Sequence, residues 1–184
     1  MLLAISCSNV VVKQPAGDKI PKLKQEQWAG IWRGPDNFRG VSRIKDAKQG
    51  LIELKSLEKN EDGTEEEPQP LAVREMGDRF IVTALDGTKP AKPGPFYRAV
   101  ISDEFAAFFP VKEDLIREAV KQGTITGREL SRTGDDITEG AKVVEIDQFG
   151  SAEAAKLLPA GINDYAACFE PDPAYVLVRE KQEK

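Results

Sequence analysis

Histidine is missing from this chain, and cysteine is scarce. The 184 residues contain no histidine and only two cysteines, Cys7 and Cys168. Without histidine the sequence cannot build a Ser-His-Asp or Cys-His catalytic centre, a zinc-hydrolase motif or a histidine-ligated haem. Two distant cysteines are too few for a metal cluster or a disulfide-dense scaffold. The composition therefore predicts a protein that is not an enzyme, with no metal, no cofactor and no catalytic residue.

The chain also lacks a concentrated positive charge. Lys and Arg number 26 and Asp and Glu number 31, which gives a net charge of −5, and the basic residues are scattered. Nucleic-acid binding needs a dense positive surface, so we expect no nucleic-acid partner. The hydrophobic content of 40% and the charged content of 31% are typical of a globular protein. The length favours one domain.

The first residues resemble the end of a bacterial signal peptide. Residues 1–6 are uncharged and mostly apolar, and the run Ala-Ile-Ser-Cys that ends at Cys7 resembles a lipobox, in which small residues precede an acylated cysteine. The resemblance implies a bacterial lipoprotein that is lipidated at Cys7. It would lie on the periplasmic face of the cell envelope, at the outer membrane, with the acyl anchor as its only membrane contact. The alternative is an ordinary N-terminus with a buried cysteine.

Residues 8–27 show no helical period and no sustained alternation. They contain two prolines, a glycine and four lysines, a composition typical of solvated linkers. The sequence is therefore divided into a signal-peptide remnant over 1–7, a flexible tether over 8–27 and a single β-barrel-like domain over 28–184. On this interpretation, residues 1–25 can be removed without loss of folding.

From Trp28 onward, short β-branched and aromatic runs are separated by Gly, Pro and Asp turns. This pattern predicts nine strands, over 30–33, 40–45, 51–57, 71–75, 79–85, 97–101, 105–109, 141–146 and 174–179. The connections at 76–78 and 102–104 are hairpin-sized, which favours antiparallel pairing. A main helix is predicted over 112–122 and one or two short C-terminal helices over 151–158 and 161–168. The predicted fold class is mainly β, an antiparallel meander curled into a barrel.

The tripeptide Gly-Ile-Trp at 30–32 resembles the Gly-x-Trp signature of lipocalins and related calycin barrels. The resemblance implies that Trp32 closes one end of the barrel and that Arg179, from the last strand, packs over its ring. Gly30, Trp32 and Arg179 are thus the candidate barrel-closing residues. The sequence Ser-Asp-Glu-Phe at 102–105 is similar to the Thr-Asp-Tyr hairpin of the same family, with Glu in the third position. A different β-rich α+β fold and a β-sandwich with helices are the alternatives.

Aromatic and cationic side chains stand together at Phe96, Tyr97 and Arg98, which are candidates for a rim that contacts a ligand or partner. The expected interior positions are Leu51, Leu57, Val73, Ile81, Val100, Phe108, Val144 and Val176. A barrel of about eight strands is either filled by such side chains or holds one small ligand. The sequence predicts a non-enzymatic binder of a small apolar or amphipathic molecule, such as a lipid.

Two other functions stay open. One is a structural or interaction module with a filled barrel, whose partner is an envelope protein. The other is a hydrolase that uses carboxylates alone, for which Asp135, Asp136 and Glu139 are candidates. An internal cavity would favour the ligand binder, whereas two carboxylates that converge in a pocket would favour the hydrolase.

Overall fold

A computed structural model describes residues 9–59, 63–86, 93–131, 142–159, 162 and 164–181. The elements in these parts of the chain are β1 (Val10–Val12), α1 (Gln25–Trp28), β2 (Gly30–Arg33), β3 (Arg39–Asp46), β4 (Leu51–Ser56), β5 (Gln69–Met76), β6 (Arg79–Leu85), β7 (Pro93–Ile101), β8 (Phe105–Pro110), α2 (Glu113–Lys121), β9 (Gly127–Ser131), β10 (Lys142–Ile146), α3 (Ser151–Leu157), a 3₁₀ helix (Tyr165–Cys168) and β11 (Tyr175–Arg179). Cys7, Asp135, Asp136 and Glu139 lie outside the described residues. No helix in the described ranges is long and apolar enough to cross a bilayer.

Eight antiparallel strands close into a barrel. Their order is β6-β5-β4-β3-β2-β11-β8-β7, and β6 pairs with β7 to complete the ring. Most neighbours in this ring are hairpins, as the short connections predict. The turn between β5 and β6 contains Gly77, whose φ of 62° is a conformation that glycine adopts without steric cost. The structure confirms the predicted fold class, and the barrel is compatible with a lipocalin-like fold.

Side chains of the barrel strands alternate between two hydrophobic cores. On β6, Val82 belongs to the interior core and its neighbour Ile81 to an outer core. The buried members of the interior core are Leu23, Trp28, Trp32, Ile52, Leu54, Leu71, Val73, Val82, Ala99, Ala106 and Leu177. The buried members of the outer core are Val10, Val12, Ala16, Met76, Ile81, Phe96, Val111, Ile116, Ala119, Ile125, Val144, Ile146, Phe149, Ala154, Cys168 and Phe169. Part of the barrel wall is therefore buried on both faces.

A second layer covers one side of the barrel. Strand β1 pairs antiparallel with β7 of the barrel and parallel with β10, and β10 pairs with β9. α2, α3 and the 3₁₀ helix supply the remaining side chains of the outer core, including Ile116, Ala154 and Cys168. This layer gives the outward side chains of β6 and β7 an apolar neighbour in place of water.

The segment predicted as a flexible tether is packed against this layer. Val10 and Val12 are 0% and 2% exposed, and Ala16 is 0% exposed. The Ala16 backbone N–H donates to Thr83 Oγ1 at 3.0 Å, and the Gly17 N–H donates to the Phe149 carbonyl at 2.7 Å. The three-valine run forms a strand because β-branched side chains suit a pleated surface with apolar partners on it. The chain from Val10 onward is therefore part of the folded structure and is not a flexible tether.

Three of the expected interior positions face solvent instead. Leu57, Val100 and Val176 are 45%, 37% and 40% exposed. Ile81 and Val144 are buried, but in the outer core rather than in the barrel. For Val100, Val176 and Ile81 the cause is strand parity, because a shift of one residue moves a side chain to the opposite face of the sheet. Val144 lies on β10, which belongs to the second layer, and Leu57 follows the end of β4. Val73 and Phe108 do face the interior, where they belong to or pack against the interior core.

Candidate functional site at the plugged end of the barrel

The short helix α1 lies across one end of the barrel. Trp28, its last residue, is 3% exposed and belongs to the interior core. Its ring meets the Phe80 ring edge-on, with 5.3 Å between the centroids. On the far wall, Gln27 Nε2 donates to the carbonyl of Ile101, the last residue of β7, at 3.5 Å. The helix thus places Trp28 as a plug in the mouth of the barrel.

Arg179 holds this plug to the last barrel strand. Its Nη1 donates to the Ala29 carbonyl at 2.6 Å and its Nη2 donates to the Gln27 carbonyl at 2.8 Å. The guanidinium carbon lies 4.3 Å from the centroid of the Trp32 ring. A Cβ atom on Gly30 would lie 2.8 Å from Arg179 Nη1, so a side chain at this position would displace the guanidinium from its two carbonyl partners. The structure brings the three candidate barrel-closing residues together.

Ser42 links the two tryptophans, a role that no sequence motif indicates. Trp32 Nε1 donates to Ser42 Oγ at 2.7 Å, and Ser42 Oγ donates to the Trp28 carbonyl at 2.7 Å. Ser42 is 6% exposed and lies opposite Gly30 in the pairing of β2 with β3. Its hydroxyl therefore satisfies a buried donor and a buried acceptor at once.

Ser42→Ala is expected to lower the free energy of unfolding by about 1–3 kcal/mol, because it leaves the Trp32 N–H and the Trp28 carbonyl buried without a partner. Urea denaturation followed by circular dichroism measures the change. Ser56 is the matched control, since it is equally buried on the neighbouring strand and bonds only to the backbone of Glu58. An effect of Ser42→Ala no larger than that of Ser56→Ala would contradict the linking role.

Arg179→Ala is expected to lower the free energy of unfolding by about 2–4 kcal/mol through loss of two charge-assisted hydrogen bonds and the stacking on Trp32. Arg179→Lys should recover less than half of the loss, because an ammonium group cannot reproduce the planar two-point contact. Arg33→Ala is the control: Arg33 is exposed and binds Glu180, and exposed ion pairs contribute about 0–1 kcal/mol. Equal losses for both alanine variants would contradict the clamp.

A small apolar cavity lies under the plug. Its volume is about 30 Å³. The lining residues are Gln27, Trp28, Trp32, Ser42, Ile52, Leu54, Leu71, Ile101, Ala106, Phe108 and Leu177. The Trp28 indole N–H is buried and has no hydrogen-bond partner in the described part of the chain. The cavity thus combines an apolar wall with one unsatisfied donor on the residue that closes it.

The predicted rim residues Phe96, Tyr97 and Arg98 do not form a ligand rim. Phe96 is 0% exposed and packs in the outer core, with its ring centroid 5.0 Å from that of Phe149. Tyr97 is 1% exposed and lies opposite Val82, which faces the barrel interior. The Arg98 guanidinium carbon lies 3.9 Å from the Phe109 ring centroid, outside the barrel. Adjacent residues of a strand point to opposite faces, which separates the three side chains.

Two glutamates of the barrel region, Glu53 and Glu180, are held in ion pairs. Hydrogen bonding to Lys45 and then to Arg43 lowers the pKa of Glu53, and hydrogen bonding to Arg39 and then to Arg33 lowers the pKa of Glu180. Among the described residues, no group of three His, Cys, Asp or Glu side chains is placed to hold a metal ion. These carboxylates are stabilised in their charged form, the opposite of what a general acid needs.

Cys168 is a buried thiol in the outer core. It is 0% exposed, and burial raises the pKa of its thiol to about 11. A neutral buried thiol behaves as a small apolar side chain.

Comparisons with family models, with curated proteins and with solved structures found no match to this chain. The structure itself defines the class of the protein by its fold, which is a closed, eight-stranded antiparallel barrel with one plugged end.

Proposed function

We propose that the protein is a non-enzymatic binding protein that takes the apolar end of a small amphipathic molecule into the cavity under Trp28. The observation that carries the proposal is the cavity itself, whose wall is apolar. The apolar end of an amphipathic molecule matches such a wall.

Ligand entry requires the plug to move. A cavity of about 30 Å³ has room for about two water molecules, whereas pockets for drug-sized ligands measure about 300–1,000 Å³. α1 is only four residues long and is held by the bonds of Arg179 and Ser42. Displacing Trp28 outward would enlarge the cavity and widen its opening to solvent. We therefore expect weak, slow binding that strengthens when the plug is made smaller.

The test is a titration with a fluorescent fatty acid. Trp28→Leu enlarges the cavity and should bind more tightly than the wild type, by at least about threefold. Ala106→Leu fills the cavity from β8 and should abolish binding. Its matched control is Ala107→Leu, on the adjacent residue, which points away from the barrel interior. Saturable binding that Ala106→Leu removes and Ala107→Leu keeps supports the proposal, and no saturable binding by the wild type or Trp28→Leu overturns it.

A second candidate function is an interaction module of the cell envelope with a filled barrel. The small volume of the cavity favours it, because two tryptophans, Phe80 and Phe108 occupy space that a ligand would need. In this case the barrel is a rigid scaffold, and an envelope protein binds its outer surface. Absence of saturable binding in the titration, with unchanged folding, is the result that this alternative predicts.

We also propose that the protein is anchored to the bacterial cell envelope, at the periplasmic face of the outer membrane, through acylation of Cys7. The support is the Ala-Ile-Ser-Cys run that ends at Cys7. Mass spectrometry of protein isolated from its native host should find acyl mass on Cys7 as the N-terminal residue. A native chain that retains Met1 would contradict the anchor.

A further inference from the structure

Arg98 is a half-buried cation on the outer wall of the barrel, where it stacks on an aromatic ring. Its guanidinium carbon lies 3.9 Å from the centroid of the Phe109 ring, and its Nε atom is buried with no hydrogen-bond partner in the described part of the chain. Every other arginine that the structure describes pairs with a carboxylate or donates to a backbone carbonyl. Among the described residues, Arg98 is therefore the arginine that lacks an acceptor.

The surroundings of Arg98 favour a negative partner. Burial lowers the pKa of its guanidinium, and the positive charge of Arg79 lowers it further, whereas Asp164 acts in the opposite direction. Arginine stays charged in proteins, so the cost cannot be relieved by loss of the proton. An anion next to the guanidinium would offset both the burial and the repulsion from Arg79.

Arg79 lies next to Arg98 on the same face of the wall. Arg98 of β7 is opposite Ile81 of β6, and Arg79 precedes Ile81 by two residues, so Arg79 and Arg98 point outward as diagonal neighbours. The Cβ atoms of such neighbours are about 7–8 Å apart. Because each arginine side chain is longer than half this separation, an anion between them is within reach of both guanidinium groups.

Two aspartates near this pair contact Arg79. Asp78 Oδ1 lies 3.2 Å from Arg79 Nε, and Asp164 Oδ1 lies 3.9 Å from Arg79 Nη2. Asp164 Oδ1 also accepts from the Ala166 N–H at 3.0 Å, which holds it at the start of the 3₁₀ helix. Both carboxylates are largely exposed, at 82% and 64%, so solvent weakens their pairing with Arg79. Their charge nevertheless disfavours a ligand that carries two negative charges.

Apolar side chains lie beside the guanidinium of Arg98. Phe109 lies under it on the β8 side, and Ile81, which is fully buried, lies beside it on the β6 side. Next to Arg79, the Tyr165 ring covers the turn between β5 and β6, where a Cβ atom on Gly77 would lie 3.2 Å from it. Ion pairs are stronger next to apolar groups than in open solvent. An ion pair at Arg98 would therefore be less screened than one on an open surface.

We propose that Arg98, assisted by Arg79, binds the carboxylate of a small organic acid on the outer wall of the barrel. The planar fork of a guanidinium matches the two oxygens of a carboxylate. Stacking on Phe109 orients the Arg98 group and leaves its N–H edge available. The cavity under Trp28 is built from other residues, so this site does not depend on the proposed ligand of the barrel.

The test is a titration of the isotope-labelled full chain with sodium acetate, followed by nuclear magnetic resonance, with sodium chloride at equal ionic strength as the reference. The Nε–H signal of Arg98 and the backbone signals of Ala99 and Phe109 should shift saturably, with a Kd in the millimolar range. Acetate has no apolar chain to occupy the cavity under Trp28, so a failure here is distinguishable from a failure of the fatty-acid titration. Shifts that sodium chloride reproduces are due to screening and overturn the proposal.

Variants of the two arginines test their roles. Arg98→Gln should abolish the saturable shifts of Ala99 and Phe109. Arg98→Lys keeps the charge but lacks the planar fork, so it should weaken acetate binding by at least about threefold. Arg79→Gln should weaken it by a similar factor, because it removes the second positive charge. Circular dichroism confirms that each variant folds, and Arg98→Lys decides the matter where Arg98→Gln does not fold.

Arg128→Gln is the matched control, because Arg128 is exposed and pairs with Glu145 in the second layer. It should leave acetate binding unchanged. Acetate binding that Arg98→Lys and Arg79→Gln both leave at the wild-type strength overturns the proposal, as does an equal loss in Arg128→Gln. Tighter binding of inorganic phosphate than of acetate overturns the assignment to a carboxylate.

Discussion

Replacing Trp32 by alanine is expected to lower the free energy of unfolding by about 3–5 kcal/mol, the cost of truncating a buried aromatic side chain. Trp32 is 3% exposed and contacts both Arg179 and Ser42. Its loss therefore removes the ring under the guanidinium and the donor to the hydroxyl, in addition to leaving a hole. Denaturant unfolding monitored by circular dichroism measures the change.

The variant Trp32→Phe shows how much of the lost stability comes from the indole N–H rather than from the aromatic ring. This variant keeps an aromatic surface under Arg179 but removes the indole N–H that donates to Ser42 Oγ, so it should cost about 1–3 kcal/mol. Trp32→Ala and Ser42→Ala should be non-additive when combined, because they share one hydrogen bond. A cost below about 1 kcal/mol for Trp32→Ala would show that the barrel end closes without this residue.

Deleting residues 1–17 is expected to destabilise the fold by at least about 3–6 kcal/mol, the value of burying two valine side chains. The deletion removes β1, strips Val10 and Val12 from the outer core and leaves β10 without its parallel partner. The result would be opposite to that expected of a tether. Thermal unfolding and limited proteolysis of the truncated and full-length chains measure it.

Point variants on β1 distinguish the effect of lost side-chain packing from the effect of a shorter chain. Val10→Thr places a hydroxyl in a fully buried position, whereas Val11→Thr places it on the half-buried face of the same strand. Val10→Thr should be clearly destabilising and Val11→Thr close to neutral. If the truncated chain melts at the same temperature as the full-length chain, the packing of β1 contributes nothing to stability.

The strands of the barrel could be predicted because their hydrophobic runs are long and their turns short. Each of the nine predicted strands corresponds to an observed one, with extensions of up to four residues, as in β7. Strands β1 and β9 were missed for different reasons. β1 has three residues in a segment rich in lysine and proline, and β9 has one large apolar residue, Leu130, in five.

It was harder to predict which side chains of a strand face the barrel interior than to predict where the strand lies. On β4, Ile52, Glu53 and Leu54 are all buried, because ion pairs cover Glu53 while the other two face the interior. Where both faces of a sheet are covered, alternation of apolar and polar residues disappears and parity cannot be determined from the sequence. The prediction of a ligand rim at 96–98 was wrong for this reason, because both faces of β7 are covered there.

The barrel-closing residues were found through a family resemblance, and their neighbours were not. Gly30, Trp32 and Arg179 stand in a recognisable pattern. Ser42 does not, since its role depends on the register that sets it opposite Gly30. Trp28 precedes the first predicted barrel strand. Its position as a plug follows from the location of α1 at the barrel mouth, which the sequence did not predict.

The bond between Arg179 and the Ala29 carbonyl joins residues 150 positions apart in the sequence, and this separation has a consequence for folding during synthesis. At about 5–20 residues per second, a ribosome needs about 8–30 s to make that length of chain. Until β11 emerges, β2 and β8 are both unpaired sheet edges and the apolar interior is open. From the synthesis of β8 to that of β11, the nascent protein is therefore an incomplete barrel with two unpaired edges, and β11 ends that period by pairing with both.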